Sequence, residues 1–478
     1  MKLTSRDFKT NARQALGDAG LQRALGRSAT HFQARVAQAR ENLPEFEALR
    51  EAARVIRDHT IAHMDAYLET YAAAVERSGG IVHWCKNAAE ARDTVLSICR
   101  AAGARMVTKG KSMASEEIGL NEHLEAHGIE PVETDLGEYV LQLRREPPSH
   151  IIAPAFHLNR EDWEASFRAA HTDLPADRVF QERREILAEA RTRLRERFLA
   201  ADVGITGANF LVAETGSSVI VTNEGNGDLT QTLPRVHIVL AGIDKIVPTL
   251  EDTTTLLRLL ARSATGQEMS VYTSFATGPR RAADTDGPAE YHVVLLDNGR
   301  SALIGTPFQD MLRCIRCSAC MNHCPVYGAI GGHAYGWVYP GPMGAVLTPA
   351  LAGLAETADL PNATTFCGRC AAVCPVKIPL PDLMRHWRKR QFERRLTPSV
   401  TRSALGLWGW FARRPASWRL ASRAAMRVLG WAGRRGGHFS ALPLAGGWTA
   451  GRDMPAPEGE TFFTRYEREQ RVAARRRA

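Results

Sequence analysis

The stretch CIRCSACMNHCP, residues 314–325, and its companion CGRCAAVCP, residues 367–375, decide what kind of module this chain contains. The first stretch has three cysteines spaced by two residues, and a fourth that follows after three more and precedes a proline. This spacing is typical of ferredoxins with two iron–sulfur clusters, in which the fourth cysteine ligates the other cluster. The second stretch repeats the Cys-Pro ending. Together they predict a small ferredoxin-like module that holds two 4Fe-4S clusters.

The crossing of ligands between the two stretches predicts which cysteines share a cluster. Cluster one takes Cys314, Cys317, Cys320 and Cys374. Cluster two takes Cys324, Cys367 and Cys370. A full repeat would place another cysteine three residues before Cys367, where this chain has Thr364. The second cluster therefore has three evident thiolates. Its remaining iron either binds another side chain, a water or a partner's ligand, or is absent, as in a 3Fe-4S centre.

Structural zinc is the alternative to clusters, since two C-x-x-C pairs also form a zinc ribbon. Seven cysteines with two Cys-Pro endings suit two clusters better than one tetrahedral ion. Their close spacing is that of metal ligands rather than disulfides, which favours a reducing compartment. The other two cysteines, Cys85 and Cys99, stand in apolar surroundings and are predicted to be buried as small hydrophobic side chains.

The length and the apolar pattern predict a chain of several segments with an α/β domain among them. Residues 1–80 have helical periodicity, and residues 81–300 alternate short apolar runs with helical stretches, which favours a largely buried sheet. Residues 301–385 hold the cysteine loops, and residues 386–478 form a basic region rich in Trp and Arg. The apolar runs are IVHW, PVETDLGEYVLQL, LVAETGSSVIVTN, RVHIVLAGIDKIVP, EMSVYTSFA and EYHVVLLDN.

The N-terminal residues show no apolar signal region, and no run of about eighteen uncharged apolar residues occurs. The chain is therefore predicted to be cytoplasmic and not to span a membrane.

The net charge of +9 is unevenly distributed along the chain. From Leu383 onward there are 21 Lys and Arg against 6 Asp and Glu, and the preceding residues have 40 against 46. No nucleic-acid-binding motif accompanies this charge, so nucleic acid is not an expected partner.

The basic C-terminal region mixes apolar and cationic side chains. One stretch of it contains Trp408, Trp410, Trp418 and Trp431 together with Arg413, Arg414, Arg419, Arg423 and Arg427. Docking against an acidic partner subunit is favoured, because an electron carrier must meet its partner. Contact with an anionic membrane surface is the alternative.

Two nucleotide-binding patterns are incomplete. The segment VTKGKS, residues 107–112, ends like a phosphate-binding loop, but Arg105 occupies the place of the opening glycine. The segment GNGDLT, which starts at Gly225, fails at the last glycine of a dinucleotide-binding motif. The sequence therefore predicts neither kind of nucleotide site.

Two polar groups have both a functional and a structural interpretation. His59 and His63 could share a metal on a helix, but an exposed helical face is favoured. The residues Glu214, Thr215, Asn223 and Glu224 flank a strand and a Gly-rich turn. A carboxylate there could contact a ligand, and turn chemistry explains the pattern equally well.

Four segments together resemble the bacterial lactate utilization protein B family. They are GITGANFLVAETGSSVIVTNEGN from Gly204, CIRCSACMNHCPVYGAIGGHAYGWVYPGPMGAVL from Cys314, FCGRCAAVCPVKIPLPDLM from Phe366 and GGWTAGRDMPAPEGETF from Gly446. The resemblance covers nearly the whole chain. It implies a LUD domain with a fold like that of sugar-phosphate isomerases and CoA transferases, joined to a dicluster module and a C-terminal helical region. It implies no catalytic residue for Glu214 or Lys109.

The resemblance also implies a role with two sister subunits in oxidising L-lactate to pyruvate. Iron–sulfur clusters move one electron at a time, whereas breaking the C–H bond is work for a flavin or nicotinamide. We therefore expect this chain to relay electrons from a partner subunit to an electron acceptor. The first alternative is that this chain is itself the dehydrogenase and uses the LUD pocket. The second is a cluster-based sensor that binds nucleic acid.

Overall fold

The computed structural model describes residues 2–442, 446–449 and 451–477. Residues 443–445, 450 and 478 of the predicted C-terminal region lie outside the described residues, as does Met1. The chain divides into two compact units, Met1–Gln391 and Phe392–Ala478. The finer division into four segments stays a prediction.

The first unit begins with the helices that the sequence predicts for residues 1–80. Helix α2 starts where the Asp18 side chain accepts a hydrogen bond from the Leu21 N–H at 3.0 Å. Helix α3 buries Phe46, Ala53 and Ile61 on one face, as its apolar periodicity predicts. The helices are α1 Phe8–Gly17, α2 Ala19–Glu41, α3 Phe46–Ala62 and α4 Met64–Arg77.

The central α/β region confirms the predicted fold class and is built from ten strands and eight helices. The strands are β1 Ile81–Cys85, β2 Met106–Lys109, β3 Glu130–Glu133, β4 Val203–Thr206, β5 Phe210–Val212, β6 Ser217–Thr222, β7 Val236–Gly242, β8 Ile246–Val247, β9 Tyr272–Ala276 and β10 Glu290–Leu296. The helices are α5 Ala88–Ala101, α6 Met113–Ile118, α7 Leu120–Glu125, α8 Leu136–Arg144, α9 Arg160–Ala170, α10 Arg183–Ala200, α11 Asn226–Thr232 and α12 Leu250–Ala264.

Six strands form a parallel sheet in the order β1-β10-β7-β4-β2-β3. Every residue of β7 is buried, as expected for a central parallel strand covered on both faces. The chain moves outward from β2 to β3, and then in the opposite direction from β4 to β7 and β10. The direction therefore reverses between β2 and β4, and in open α/β sheets ligands bind at the carboxyl ends of the strands beside such a point.

A second sheet has the order β8-β5-β6-β9 and mixes parallel and antiparallel pairs. The predicted apolar run LVAETGSSVIVTN is the β5–β6 hairpin, whose turn contains Gly216 with φ of +72°. The run PVETDLGEYVLQL is not a single strand, because Asp135 caps a helix within it. That run instead supplies β3 and then α8.

The cysteine loops connect short helices that share a core with the rest of the first unit. The largest group of buried side chains runs from Phe8 and Phe46 through Phe210 to Cys320 and Trp387. The loops are therefore packed against the N-terminal helices and the second sheet. The helices of this region are α13 Ala319–Asn322, α14 Pro325–Ile330, α15 Gly341–Leu351, α16 Arg369–Ala372 and α17 Leu380–Glu393.

The second unit is largely helical, as predicted for the C-terminal region. Neither α18 nor α19 buries any side chain among its described residues. Across the described parts of the chain, no helix is long and apolar enough to cross a membrane. The elements are α18 Ser399–Ala412, α19 Pro415–Ala432, α20 Gly446–Thr449 and α21 Phe462–Arg477, with β11 His438–Phe439 antiparallel to β12 Met454–Pro455.

Candidate functional site

The first cysteine stretch folds as a chain that turns back on itself. Arg316 and Ser318 adopt the left-handed backbone conformation, with φ of 59° and 60°. Helix α13 then carries Cys320, and Cys324 caps the next helix by accepting the Tyr327 N–H on its sulfur at 3.5 Å. The turns curl the three closely spaced cysteines around one space and direct the fourth away from it.

The second cysteine stretch uses the same local design. Gly368, between Cys367 and Cys370, has φ of +80° and precedes the short helix α16. Beyond that helix, the Ile378 N–H donates to the Cys374 sulfur at 3.4 Å. Amide donors to sulfur are common around iron–sulfur clusters, where they help to set the reduction potential.

Four cysteines line one small enclosed space, and we call them the first cysteine group: Cys314, Cys317, Cys320 and Cys374. Burial raises the pKa of Cys374 to about 11, and it raises the pKa values of Cys317 and Cys320 as well. The neighbouring thiols of the group add to these increases. Metal binding to such thiols requires loss of their protons, so it is strongly coupled to pH.

The remaining three cysteines form the second cysteine group: Cys324, Cys367 and Cys370. Burial raises the pKa of Cys370 to about 12, and the proximity of the Cys324 and Cys367 thiols contributes to the increase. Cys367 is exposed, and the Arg369 N–H lowers its pKa. Thr364, which stands in place of an eighth cysteine, accepts the Phe366 N–H at 3.0 Å.

Each cysteine group draws side chains from both stretches. Cys374 of the second stretch joins the first group, and Cys324 of the first stretch stands near Cys367 and Cys370. Among the described residues, no three His, Cys, Asp or Glu side chains are gathered tightly enough for a single metal ion. In a cubane, each thiolate binds a different iron.

Arginines of α3 hold the cysteine loops from the side of the N-terminal helices. Arg50 donates to the carbonyl oxygens of Cys374 and Ala372 at 2.7 and 2.8 Å. Arg57, which is fully buried, donates to the Leu312 carbonyl oxygen at 2.8 Å. Burial lowers the pKa of Arg57 to about 10, so it stays charged at neutral pH. The predicted N-terminal helical segment is thus part of the support of the site.

A cavity of about 240 Å³ lies at the carboxyl ends of the parallel strands. Its wall includes Lys111 after β2, Gly207 after β4 and Lys245 after β7. We call it the switch-point cavity, because β2 and β4 flank the reversal of strand order. Arg316 of the first cysteine stretch also lines it, so the cavity adjoins the first cysteine group.

One side of the switch-point cavity is cationic. Arg316 pairs with Asp244 at 3.2 Å, and its other terminal nitrogen is buried without a partner among the described residues. Lys245 lies nearby, and burial followed by the charge of Arg316 lowers its pKa to about 8. The guanidinium of Arg316 also lies 5.1 Å from the ring centroid of Tyr339.

A buried ion network fixes this cationic side. Arg300 donates to Asp244 at 2.8 Å and to Glu117 at 2.7 Å, and Tyr339 donates to Glu117 at 2.6 Å. Burial opposes ionisation of Asp244, but Arg300 and Arg316 hold the pKa of that carboxyl well below its usual range. Asp244 is therefore a fixed anion that positions Arg316.

The other side of the cavity is acidic. Lys111 pairs with Asp135 at 3.5 Å and donates to the Ile152 carbonyl oxygen at 2.7 Å. Glu224 lies beside them, and burial together with the Asp135 charge raises its pKa. The cavity is therefore bipolar: cations outnumber the Asp244 carboxylate near the cysteine loop, and carboxyls outnumber the Lys111 cation in the other part of the wall.

Comparisons with known proteins agree with this architecture. The family model for the LUD domain matches residues 68–296, and that for the 4Fe-4S dicluster domain matches residues 310–378. "Lactate utilization protein B" of Macrococcus caseolyticus is 42% identical over 97% of both chains. "Uncharacterized electron transport protein YkgF" of Escherichia coli K12 is 39% identical over 98% of both.

The chain belongs to the lactate utilization protein B family. The resemblance drawn from its sequence is thereby confirmed. A crystal structure of a DUF162 family protein from Deinococcus radiodurans matches 49% of the chain and 98% of its own length, with 15% identity and a TM-score of 0.25.

The two lysines of the segment VTKGKS have different surroundings in this member of the lactate utilization protein B family. Lys109 is fully buried and pairs with Glu133 at 2.7 Å and Glu116 at 3.0 Å. Lys111, two residues on, turns to the switch-point cavity. Lys109 is thus part of a buried ion cluster, whereas Lys111 lines the cavity together with its neighbours Gly110 and Ser112.

The four residues that flank the strand and the Gly-rich turn also lie in different places. Glu214 accepts the Leu250 N–H at 3.0 Å at the start of α12, which is a structural role. Thr215 contacts Ser217 within the hairpin turn. Asn223 and Glu224 line the switch-point cavity.

His59 and His63 are both exposed, as predicted, but α3 ends at Ala62, so the two residues do not share one helix. Their ring centroids are 4.7 Å apart, and among the described residues no third His, Cys, Asp or Glu completes a metal site with them. The His59 ring nitrogen is 2.9 Å from the Tyr67 hydroxyl. Cys85 and Cys99 are buried, which confirms their prediction as small hydrophobic side chains, and burial raises the pKa of both thiols.

The tryptophans of the second unit are accessible. Trp431 is 73% exposed and Trp408 is 59% exposed. The Arg414 guanidinium lies 4.3 Å from the ring centroid of Trp410. Stacked arginine and tryptophan side chains thus form the mixed apolar and cationic surface that the composition predicts.

Sequence reasoning missed Lys245, Asp135 and Arg316 as members of a site. Lys245 and Asp135 each follow a buried strand, so the rule that ligands meet at carboxyl ends of parallel strands could have found them. No sequence pattern identifies Arg316, because contacts between distant parts of the chain bring it to the cavity.

Proposed function

We propose that this chain is the iron–sulfur electron-transfer subunit of a multi-subunit system that oxidises L-lactate to pyruvate and allows growth on lactate. The names of its relatives, lactate utilization protein B and electron transport protein, support this role. In this proposal the chain works with sister lactate-utilization subunits in the reducing cytoplasm and passes electrons to an acceptor.

The observation that carries the proposal is the gathering of seven cysteines from two separate stretches into two groups. We assign one 4Fe-4S cluster to the first cysteine group and a second cluster to the second cysteine group. The second cluster keeps three protein thiolates in this assignment, and its remaining position takes another ligand or stays vacant. The neighbouring amides and the arginines of α3 orient the sulfurs and fix the loops.

Iron–sulfur clusters supply single-electron transfer, whereas C–H cleavage is flavin or nicotinamide chemistry. We therefore place the start of lactate oxidation on a partner subunit or at a shared interface. The residues of this chain hold the clusters, shield them in a common core and keep the first group beside the bipolar cavity.

Cys317→Ser tests the relay. The change removes one member of the first cysteine group, so lactate-dependent electron flow through the assembled subunits is expected to be abolished. Cys99→Ala, at a buried cysteine outside both groups, is the matched control and should retain flow. Circular dichroism should show that the LUD domain of the Cys317→Ser chain remains folded. A normal rate of lactate oxidation in that variant would rule out the relay.

A second candidate function is that this chain is itself the dehydrogenase. The observation in its favour is the switch-point cavity, whose wall contains Arg316 between two cysteines of the first group. Purified chain with L-lactate and an artificial electron acceptor separates the two functions. Turnover without sister subunits supports the dehydrogenase, and turnover only with them supports the relay.

A further inference from the structure

The switch-point cavity lies where the topology of the sheet places ligands, and its wall is polar. Strand order reverses between β2 and β4, and the segments after both strands line the cavity. Its volume of about 240 Å³ is below the usual range of sites for drug-sized ligands, so it suits a small molecule.

The cationic side has an unused donor. Among the described residues, one terminal nitrogen of Arg316 is buried without a hydrogen-bond partner, and Lys245 lines the same side of the cavity, close to Arg316 and Asp244. The Arg316 side chain is only 9% exposed, so that nitrogen is shielded from bulk water. A buried cationic donor without a partner is costly, and a bound carboxylate would remove that cost.

The acidic side suits a hydroxyl or keto oxygen. Asp135 and Lys111 form an ion pair there, and Glu224 stands beside them. The Asn226 side-chain oxygen, in a residue that is only 6% exposed, is a further buried acceptor that has no partner among the residues the structure describes. A ligand hydroxyl can donate to these oxygens, and a keto oxygen can accept from Lys111.

We propose that the switch-point cavity binds a small carboxylate that has a hydroxyl or keto group on the adjacent carbon. The carboxylate lies against Lys245 and Arg316, and the second oxygen lies toward Asp135 and Glu224. This proposal deepens the proposed function and depends on it for the class of acid. According to this proposal, this chain binds the substrate or the product of lactate oxidation, whichever subunit breaks the C–H bond.

The same geometry links ligand binding to the first cysteine group. Arg316 is held in a left-handed conformation between Cys314 and Cys317, and its side chain reaches the cavity. A carboxylate that engages Arg316 therefore places a charge near that group. The electron paramagnetic resonance (EPR) spectrum of a reduced cluster there is expected to change when the cavity is filled.

Titration calorimetry on anaerobically purified full-length chain tests the proposal. The probes are L-lactate, pyruvate, lactamide as a neutral analogue, and inorganic phosphate. We expect saturable binding of L-lactate or pyruvate and no binding of lactamide. Because this comparison uses the unaltered chain, it tests the need for the carboxylate without any variant.

Lys245→Met locates the binding. The change should weaken carboxylate binding by at least about tenfold, as expected from loss of one charged hydrogen bond. Lys86→Met is the matched control, because Lys86 is exposed and does not line the cavity. The control should bind as the unaltered chain does. Equal binding by the Lys245→Met chain would overturn the assignment of the site.

Three other results would overturn the proposal: no saturable binding of either acid, equal binding of lactamide, or binding of phosphate alone. EPR on the same preparation separates these failures from a failure of the proposed function. A preparation with both clusters that binds neither acid defeats the cavity assignment only. A preparation without iron defeats the electron-transfer role.

Discussion

Burial controls the protonation state of single side chains in this protein, and His237 is an example. His237 on β7 is fully buried, and its ring nitrogen Nε2 is 2.8 Å from the Thr206 hydroxyl oxygen. Burial lowers the pKa of His237 to about 3, so the ring is neutral in the folded chain at neutral pH. In the unfolded chain the same ring has a pKa near 6.5.

His237 therefore makes stability depend on pH. Its contribution is fully present above about pH 6.5 and is lost as the pH falls toward 3, because the unfolded state binds the proton more tightly. Between these two pKa values, each unit by which the pH falls lowers the free energy of unfolding by about 1.4 kcal/mol. In His237→Gln, the slope of unfolding free energy against pH between 7 and 5 should be shallower than in the parent chain. An unchanged slope would contradict the neutral buried histidine.

The two cysteine groups could be predicted residue by residue, because the spacing of the cysteines is local and specific. Lys245 and Arg316 could not, since each is ordinary in its own segment. Arg316 becomes part of a cavity only when the cysteine loop packs on the LUD domain. Lys109 is the opposite case: it stands in a segment that resembles a phosphate-binding loop, but in the structure it pairs with Glu133 in a buried ion cluster.

Strands and helices were predictable where one periodicity filled a segment. Helix α3 and the strands β7 and β10 agree with the sequence pattern. The run PVETDLGEYVLQL differs because a capping aspartate, Asp135, changes the backbone from strand to helix within it. The reversal of strand order between β2 and β4 could not be predicted, since strand neighbours are set by packing across the whole sheet.

Strand β4 lies close to α11, and a single glycine permits this approach. A Cβ atom on Gly204 would lie 1.8 Å from the Thr230 carbonyl oxygen. Gly204→Ala should therefore lower the free energy of unfolding by about 1–3 kcal/mol, as overpacking does. Gly26→Ala is the matched control, because a Cβ there meets no atom of the described residues within 4 Å and the helix should gain about 0.5–1 kcal/mol. Urea unfolding of both variants measures the difference. Equal stability of the two would contradict the close approach.

The molecule combines one large unit, in which the N-terminal helices, both sheets and the cysteine loops share buried side chains, with a separate C-terminal unit. The boundary falls near the end of α17. Trp387 of that helix stacks on Phe308 at 3.9 Å and donates to the Val346 carbonyl oxygen at 2.9 Å, so the helix is anchored within the first unit.

A chain that ends after Glu393 should keep both clusters, because every residue of the two cysteine groups and its support lies in the first unit. Loss of the exposed tryptophans and arginines of α18 and α19 should instead weaken association with sister subunits. Iron content and co-purification of the subunits measure the two effects. Loss of iron from the shortened chain would contradict the independence of the cluster-binding unit.

The central claim is that thiolates from two stretches hold two iron–sulfur clusters in one module. Iron, zinc and acid-labile sulfide analysis of anaerobically purified full-length chain, combined with EPR of the reduced protein, tests it most directly. The account predicts two clusters, with roughly seven to eight iron atoms per chain depending on whether the second is a 3Fe-4S or a 4Fe-4S centre. Zinc in place of iron, or a chain with no iron, would contradict it.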